Sequence, residues 1–268
     1  MRKLFFCSIV LSMITIFGDS LTGNRFGISY TRYLSGNYSF RGIDGQDTQQ
    51  VIRRAAGFIS RNPGETVVLE AGGNDIIEIC RKWGCLPLRK PEDGSFEEFQ
   101  DWGLRTSVQK HTVAFLEKEG FEGILNPVLE RADEYAKAIK GLGAPVLVCA
   151  VTVITEKTDG LFNRLVREWN NVLKASVGEE AWIDLNTPLL PLCKGDSSFL
   201  GGDVTELLSD RKLIDGTEQK AAELSRKRGL GATVDGIHLN EEGARAICFT
   251  FEQKIGRLEQ KTVQAQQE

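Results

Sequence analysis

Short runs of apolar and β-branched residues alternate with helical stretches along most of this chain. Five such runs predict strands, at residues 14–18, 38–43, 66–71, 146–154 and 182–185. The run from Val146 to Ile154 is apolar almost throughout, which is typical of a parallel strand covered on both faces. The pattern therefore predicts an α/β fold, a three-layer α/β/α sandwich around a mainly parallel five-stranded sheet.

Apolar residues recur at helical spacing between these runs. This periodicity predicts helices over 22–34, from 48 to just before 62–64, and over about 97–118, 126–141, 161–173 and 240 to about 259. Asn126 and Pro127 provide an N-cap and a first-turn proline for the helix over 126–141, and Asn240 caps the last helix. Strands and helices thus alternate, as they do in parallel sheets.

The length of 268 residues favours one large domain, which we place at residues 13–260, followed by a polar tail at 261–268. Two stretches of about 76–123 and 186–232 carry no clear strand and are interpreted as insertions near the carboxyl edge of the sheet. A hydrophobic share of 41% suits a globular protein with a full core. The net charge of -4 argues against a nucleic-acid partner.

The first twelve residues have an uncertain status. Arg2 and Lys3 precede the apolar run Leu4 to Val10, which resembles the start of a secretory signal. Cleavage after Ser12 would spare the first strand, yet such a leader is shorter than the usual ~15 to 30 residues. No apolar run reaches the ~18 residues needed for a membrane span. We expect a cytoplasmic protein that starts at Met13, with export or N-terminal anchoring as the alternative.

The six cysteines are scattered, and two of them, Cys149 and Cys248, fall in apolar patterns that favour buried, reduced thiols. Cys80 and Cys85 form the one close pair. Because no histidine lies near them, they make a poor zinc site, and a local disulfide stays open if the protein is exported. We expect no metal and no cofactor.

A candidate nucleophile follows the first predicted strand. The motif Phe-Gly-Asp-Ser-Leu-Thr breaks the strand at Gly18 and places Ser20 on a tight strand-to-helix turn. A serine in this position has an exposed hydroxyl and lies near a helix N-terminus. The alternative is that Ser20 is an ordinary helix N-cap. The nucleophile interpretation requires a base, a group that orients the base, and donors for an oxyanion.

Two histidines are candidates for the base. His111 lies between Lys110 and Thr112 in a predicted helix, where a solvated surface role is expected. His238 belongs to the motif Asp-Gly-Ile-His, in which Asp235 precedes it by three residues. A bend at the intervening glycine lets Asp235 reach the Nδ1–H of the imidazole, fix its tautomer and stabilise the imidazolium. Alternatively, Asp235 belongs to a capped turn before the last helix.

Donors for a developing oxyanion are expected at the ends of three strands. The backbone N–H groups of Ser20 and Gly45 and the side-chain amide of Asn74 all follow predicted strands. The carboxyl ends of parallel strands meet at one edge of a sheet, where ligands bind. The alternative interpretations are turn glycines and an Asx-turn asparagine.

Together, these motifs resemble the GDSL esterase/lipase family of the SGNH hydrolase superfamily, over Ile14 to about Phe251. The resemblance implies a flavodoxin-like fold, no metal, and hydrolysis of carboxylic esters. It also implies that Ser20 is the nucleophile, His238 the base and Asp235 its orienting acid. On the same pattern, the N–H groups of Ser20 and Gly45 and the Asn74 amide form the oxyanion hole.

This chain departs from the family pattern at the glycine expected to donate to the oxyanion. Many family members have Gly-Asp-Thr where this chain has Gly45-Gln-Asp-Thr48, so Gly42 is a rival to Gly45.

The predicted function is serine-dependent hydrolysis of a small-molecule ester or an acylated glycan through an acyl-enzyme. Short-chain or O-acetyl esters are favoured, because nothing in the sequence indicates a membrane-binding face. Lipid esterase (lysophospholipase) and acyltransferase activities are the alternatives within the family. A protein that binds acylated glycans or lipids without turnover is the alternative of another class.

Overall fold

A computed structural model describes residues 13–23, 25–82, 104–195, 200 and 204–267. Within them, one five-stranded sheet has the strand order β2-β1-β3-β4-β5. The strands are β1 (Ile14–Gly18), β2 (Tyr38–Gly42), β3 (Thr66–Glu70), β4 (Val146–Cys149) and β5 (Trp182–Ile183). Each neighbouring pair is parallel, which confirms the predicted sheet.

Helices cover both faces of this sheet. They are α1 (Ser20–Gly23), α2 (Thr48–Ile59), α3 (Gly73–Lys82), α4 (Leu104–Gly141), α5 (Leu161–Val177), α6 (Val204–Ile214), α7 (Glu218–Lys227) and α8 (Glu241–Gln267). Short 3-10 turns lie at Tyr30–Tyr33 and Thr187–Leu189. No helix in the described ranges is long and apolar enough to cross a membrane.

Strand side chains alternate between two hydrophobic cores, as the period of two requires. Phe17, Val67 and Leu69 pack in the first core, with buried residues of α2, α3, α4 and α5. Ile16 and Val68 pack in the second core, with buried residues of α7 and α8. The two cores, one on each face of the sheet, confirm the three-layer α/β/α sandwich.

The register of the sheet aligns the carboxyl ends of three strands. Gly18 at the end of β1 pairs with Gly42 of β2 and with Glu70 of β3. The loops that follow these strands therefore leave the sheet side by side, as predicted for the stretches around Ser20, Gly45 and Asn74.

The predicted helix over 22–34 is wrong. Helix α1 ends at Gly23, and residues 25–29 form no helix before the 3-10 turn that Ser29 caps. Gly27 has a φ of 65°, outside the helical region, and Ser29 donates through its hydroxyl to the carbonyl of Leu21. Side-chain bonds of this kind offer the backbone an alternative to the helix.

The predicted strand over 146–154 is shorter than expected, since β4 ends at Cys149. From Val151 on, side-chain amides replace the strand ladder. Asn170 accepts from the N–H of Val151 and donates to its carbonyl, and Asn163 accepts from the N–H of Ile154. The apolar pattern continues because these residues stay buried, although they have left the sheet.

Helix boundaries between β3 and β4 also differ from the prediction. Helix α3, which carries Asn74, is not among the predicted helices. The helix assigned to start at Asn126 is already running there, and Pro127 lies inside α4, which contains one non-helical residue at Gly120. Ile124 and Val128, on either side of the proline in sequence, are both buried, and their packing maintains the helix across Pro127.

At the C-terminus, α8 extends to Gln267, beyond the end expected near residue 259. The extra residues include Gln, Lys and Ala, which are good helix formers. The predicted N-cap is confirmed, because Oδ1 of Asn240 accepts from the N–H of Gly243 at 3.0 Å. Two helices, α6 and α7, lie in the stretch 186–232. The N-terminal segment 1–12 and Cys85 fall outside the described residues.

Candidate active site

Ser20 lies on a tight turn at the end of β1. Ser20 is the first residue of α1, and Oδ1 of the preceding Asp19 accepts from the N–H of Leu21 at 3.0 Å. A Cβ on Gly18 would lie 2.3 Å from Oγ1 of Thr22 and 2.6 Å from Oε2 of Glu70. Only glycine therefore fits at this position, which explains the Gly-Asp-Ser order of the motif. The hydroxyl of Ser20 contacts a histidine, so Ser20 is not a simple N-cap.

A second buried carboxylate, that of Glu70, supports this turn from behind. It accepts from Oγ1 of Thr22, two residues after Ser20, at 3.0 Å. Burial and then the charge of Asp19 raise the pKa of Glu70 well above its usual range. Burial also raises the pKa of Asp19 to about 6. Sequence analysis missed Glu70, whose position at the end of a predicted strand was the available signal.

The structure brings Ser20, His238 and Asp235 together in a hydrogen-bonded series. Nε2 of His238 lies 2.9 Å from Oγ of Ser20, and Nδ1 lies 2.5 Å from Oδ2 of Asp235. The other carboxylate oxygen of Asp235 accepts from the N–H groups of Ile237 and His238 at 2.9 and 2.7 Å. All three side chains are almost completely buried.

Electrostatics in this series favour a proton on the imidazole. Burial opposes charge on His238, but the charge and the hydrogen bond of Asp235 outweigh it and raise the pKa of His238. Burial likewise opposes ionisation of Asp235, but the charge of His238 and the hydrogen bonds from the loop outweigh it and lower the pKa of Asp235. The pair is therefore suited to accept and hold a proton taken from Ser20.

The loop that carries His238 is held by a hydrogen bond of its own and by the segment after α1. Within the loop, Val234 donates through its N–H to the carbonyl of His238 at 2.7 Å. From the segment after α1, Ile28 donates through its N–H to the carbonyl of Leu239 at 2.7 Å. The ring of Phe26 lies 5.2 Å from the imidazole, measured between centroids. These contacts fix the imidazole over the hydroxyl of Ser20.

Gly45 and Asn74 lie next to each other at the carboxyl edge of the sheet. Gly45 has a φ of 72° in a turn that the N–H of Gln46 closes on the carbonyl of Ile43. The Asn74 amide donates to the carbonyl of Gln46 at 3.0 Å and to Oδ2 of Asp19 at 3.1 Å. Both N–H bonds of this amide thus point at protein oxygens, so donation to an oxyanion requires that one of them be exchanged.

The rival glycine, Gly42, has a packing role. A Cβ at Gly42 would lie 2.2 Å from the backbone nitrogen of Gly23, which leaves no room for a side chain between β2 and α1. The segment after Gly45 is fixed by Asp75, whose carboxylate accepts from the N–H and the hydroxyl of Thr48, both at 2.9 Å. Sequence analysis did not assign Asp75, although it directly follows Asn74.

The other histidine, His111, falls within α4, and the placement of its side chain lies outside the described part of the chain. Across the part that the structure describes, no group of three or more His, Cys, Asp or Glu residues could hold a metal ion.

The sequence model of the GDSL-like Lipase/Acylhydrolase family matches residues 14–248, a span that includes every motif described above. The chain belongs to this family. As a GDSL hydrolase it is a carboxylic ester hydrolase. No curated protein matches the sequence of this GDSL hydrolase.

Several solved structures are similar to this GDSL hydrolase. A member of the lipolytic G-D-S-L family from Veillonella parvula is 19% identical, with a TM-score of 0.45 and coverage of 91% of this chain and 97% of that one. A GDSL-like lipase from Bacteroides thetaiotaomicron is 15% identical, with a TM-score of 0.47 and coverage of 92% and 88%. An acetylxylan esterase from Geobacillus stearothermophilus is 14% identical, with a TM-score of 0.45 and coverage of 91% and 94%.

Proposed function

We propose that this GDSL hydrolase cleaves short-chain carboxylic esters, O-acetyl esters above all, through an acyl-enzyme on Ser20. The observation that carries the proposal is the series Ser20–His238–Asp235, with 2.9 Å between Oγ and Nε2 and 2.5 Å between Nδ1 and Oδ2. A base within hydrogen-bond reach of a hydroxyl, itself oriented by a carboxylate, is the arrangement that activates a serine.

In the first half of the reaction, Oγ of Ser20 attacks the ester carbonyl while Nε2 of His238 takes the hydroxyl proton. Asp235 stabilises the imidazolium that forms. The negative charge on the carbonyl oxygen is met by the N–H groups of Ser20 and Gly45 and by the Asn74 amide. His238 then gives its proton to the departing alcohol, and the acyl group stays on Ser20.

In the second half, a water molecule attacks the acyl-enzyme. His238 takes a proton from this water and returns it to Oγ of Ser20, which releases the carboxylic acid and restores the resting site. We favour a small acyl group, such as acetyl, over a long acyl chain, because nothing in the sequence indicates a membrane-binding face.

Rates against p-nitrophenyl esters of increasing acyl length test the substrate class. We expect the highest kcat/KM at acetyl or butyryl, and a maximum at long chains would favour the lipid esterase instead. Product analysis with an added alcohol or sugar acceptor distinguishes transfer from hydrolysis. Detectable ester cleavage excludes a protein that only binds its ligand.

Ser20→Ala tests the nucleophile, with an expected loss of roughly 10⁴ or more in kcat on p-nitrophenyl acetate. His238→Ala is expected to match it. His111→Ala is the matched control and is expected to leave the rate unchanged. Equal losses in the two histidine variants would mean that the base is assigned wrongly.

A further inference from the structure

Glu156 is a completely buried carboxylate that the reaction above does not use. Its Oε1 accepts from the N–H of Ala232 at 2.7 Å and from the N–H and the hydroxyl of Thr233, both at 2.8 Å. Its Oε2 accepts from the N–H groups of Gly231 at 2.7 Å and Lys194 at 2.9 Å. Four of these five hydrogen bonds come from residues 231–233, about 75 positions further along the chain.

The residue before it, Thr155, has a φ of 63°. A positive φ is unfavourable for a β-branched residue, and such strain persists only where the surroundings enforce it. Here Asn163 enforces it: its amide donates to the carbonyls of Thr155 and Lys157, both at 3.0 Å, and its Oδ1 accepts from Ile154 at 3.1 Å. The turn at 154–157 is thus clamped in a strained conformation by a buried asparagine.

Both Thr155 and Glu156 bind the loop that carries the proposed base, His238. The N–H of the strained Thr155 donates to the carbonyl of Gly236 at 2.8 Å. Thr233, which Glu156 binds twice, accepts through its hydroxyl from the N–H of Gly236 at 3.2 Å and pairs with Leu239 in a β-bridge. The turn therefore binds Thr233 and Gly236, which lie on either side of Asp235 in sequence. It does so through the N–H of Thr155 and the carboxylate of Glu156, whose directions depend on the strained conformation.

We propose that the turn formed by Thr155 and Glu156 is a positioning element that sets the geometry of Asp235 and His238 relative to Ser20. Glu156 is a positioning residue, since it acts through the 231–233 backbone and does not reach the reacting atoms. This inference rests on the catalytic roles proposed above for Asp235 and His238. A strained backbone is typical of functional sites, where the surrounding structure enforces the strain and so fixes the position of functional groups.

Glu156→Gln is the direct test, because an amide keeps the shape but turns an NH₂ group toward backbone N–H donors. We expect kcat on p-nitrophenyl acetate to fall at least about tenfold, because small misplacements of reacting groups are costly, while KM changes little. The acid limb of the kcat/KM profile is expected to move to lower pH, since His238 loses part of its contact with Asp235. Labelling of Ser20 by a fluorophosphonate should slow in parallel.

Asp184→Asn is the matched control. Asp184 also accepts several local hydrogen bonds, but they come from the N–H groups of Asn186 and Thr187 and from the hydroxyl of Thr187, and not from the 231–239 loop. We expect this variant to lose stability in urea unfolding while it keeps the wild-type labelling rate and pH profile. If Glu156→Gln behaves in the same way, the positioning role is wrong and Glu156 is structural only.

Thr233→Val provides a milder second variant, which removes the Oγ1 contacts with Glu156 and Gly236 and leaves the carboxylate in place. If Glu156→Gln does not fold, the same shift of the acid limb in Thr233→Val supports the proposal, and an unshifted profile overturns it. Labelling of the wild-type protein distinguishes a failure of the proposed function from a failure of the positioning role. Absence of wild-type labelling at Ser20 would remove the proposed function itself, whereas normal wild-type labelling with unchanged variants would remove only the positioning role.

Discussion

The side-chain amide of Asn74 donates a hydrogen bond to the carboxylate of Asp19, with 3.1 Å between Nδ2 and Oδ2. Asp19 directly precedes the proposed nucleophile, and Asn74 is the side-chain donor proposed for the oxyanion. Burial raises the pKa of Asp19 to about 6, so the carboxyl group of Asp19 changes charge near that pH. The orientation of the Asn74 amide is thereby linked to the ionisation of a neighbour of Ser20.

Asn74→Ala tests the oxyanion assignment. Loss of one such donor typically costs roughly 10² to 10³ in kcat, because the donor is stronger toward the transition state than toward the substrate. We expect that loss with KM nearly unchanged, measured on p-nitrophenyl acetate. A loss of less than about threefold would remove Asn74 from the oxyanion hole.

Asp19→Asn is expected to make stability less dependent on pH. The folded-state pKa of about 6 lies above the ordinary value of 3.8, so the folded state favours the protonated acid. Its contribution to stability is therefore full below about pH 4 and is lost as pH rises toward 6. The variant should gain on the wild type over this interval, by the order of 1–3 kcal/mol. Urea unfolding at pH 4, 5, 6 and 7 measures the gain, and a difference independent of pH would contradict it.

Asp235→Asn addresses the pH dependence of the reaction. Protonated His238 cannot accept a proton, so kcat/KM should fall as pH drops through its pKa, which Asp235 holds above the usual 6.5. In the variant this pKa decreases and the acid limb moves to lower pH. The maximum rate also falls, by roughly 10³ to 10⁴, since the imidazole loses its orienting carboxylate. An unmoved limb would show that another group controls it.

Gly27→Ala tests the support of the His238 loop. A Cβ at Gly27 would lie 2.5 Å from the carbonyl oxygen of Leu239 and 3.0 Å from Cβ of His238, and the φ of 65° is unfavourable for alanine. We expect a loss of about 1–3 kcal/mol in stability, together with a lower kcat, because the imidazole must shift.

Gly57→Ala, in α2, is the control for that substitution. Its Cβ would meet only Arg61, at 4.0 Å, so we expect a gain of roughly 0.5–1 kcal/mol and unchanged kinetics. Unfolding curves and rates on one ester substrate measure both variants. If Gly27→Ala kept the wild-type kcat, the segment before Ile28 would not be needed to place His238.

The sequence was most informative where the determinant is local. Asp235 and His238 are three residues apart, so one turn at the intervening glycine brings the carboxylate to the ring, and the pattern shows this directly. Gly18 is readable for the same reason, because it lies two residues before Ser20 on the same turn. The helix over 22–34 failed because Ser29 bonds to the carbonyl of Leu21, a competing contact that apolar spacing does not reveal.

The strand after Val146 illustrates a second limit. Its apolar pattern continues to Ile154 because these residues are buried, but burial alone does not distinguish a strand from an irregular segment. Asn163 and Asn170, both on α5, take over the backbone bonds that a neighbouring strand would otherwise make. Their effect on residues 151–155 depends on how α5 packs on the sheet.

The sequence by itself determined the α/β class, the order of the strands along the chain, and the motifs of the GDSL family, since each follows from local periodicity or from a motif within one turn. Only the tertiary structure decided that His238 meets Ser20 across 218 positions of sequence, that Glu70 accepts a hydrogen bond from Thr22, and that Glu156 accepts one from Ala232. The physical reason is that these contacts join distant segments. Burial and hydrogen bonding between them arise only once the sheet has aligned its carboxyl ends.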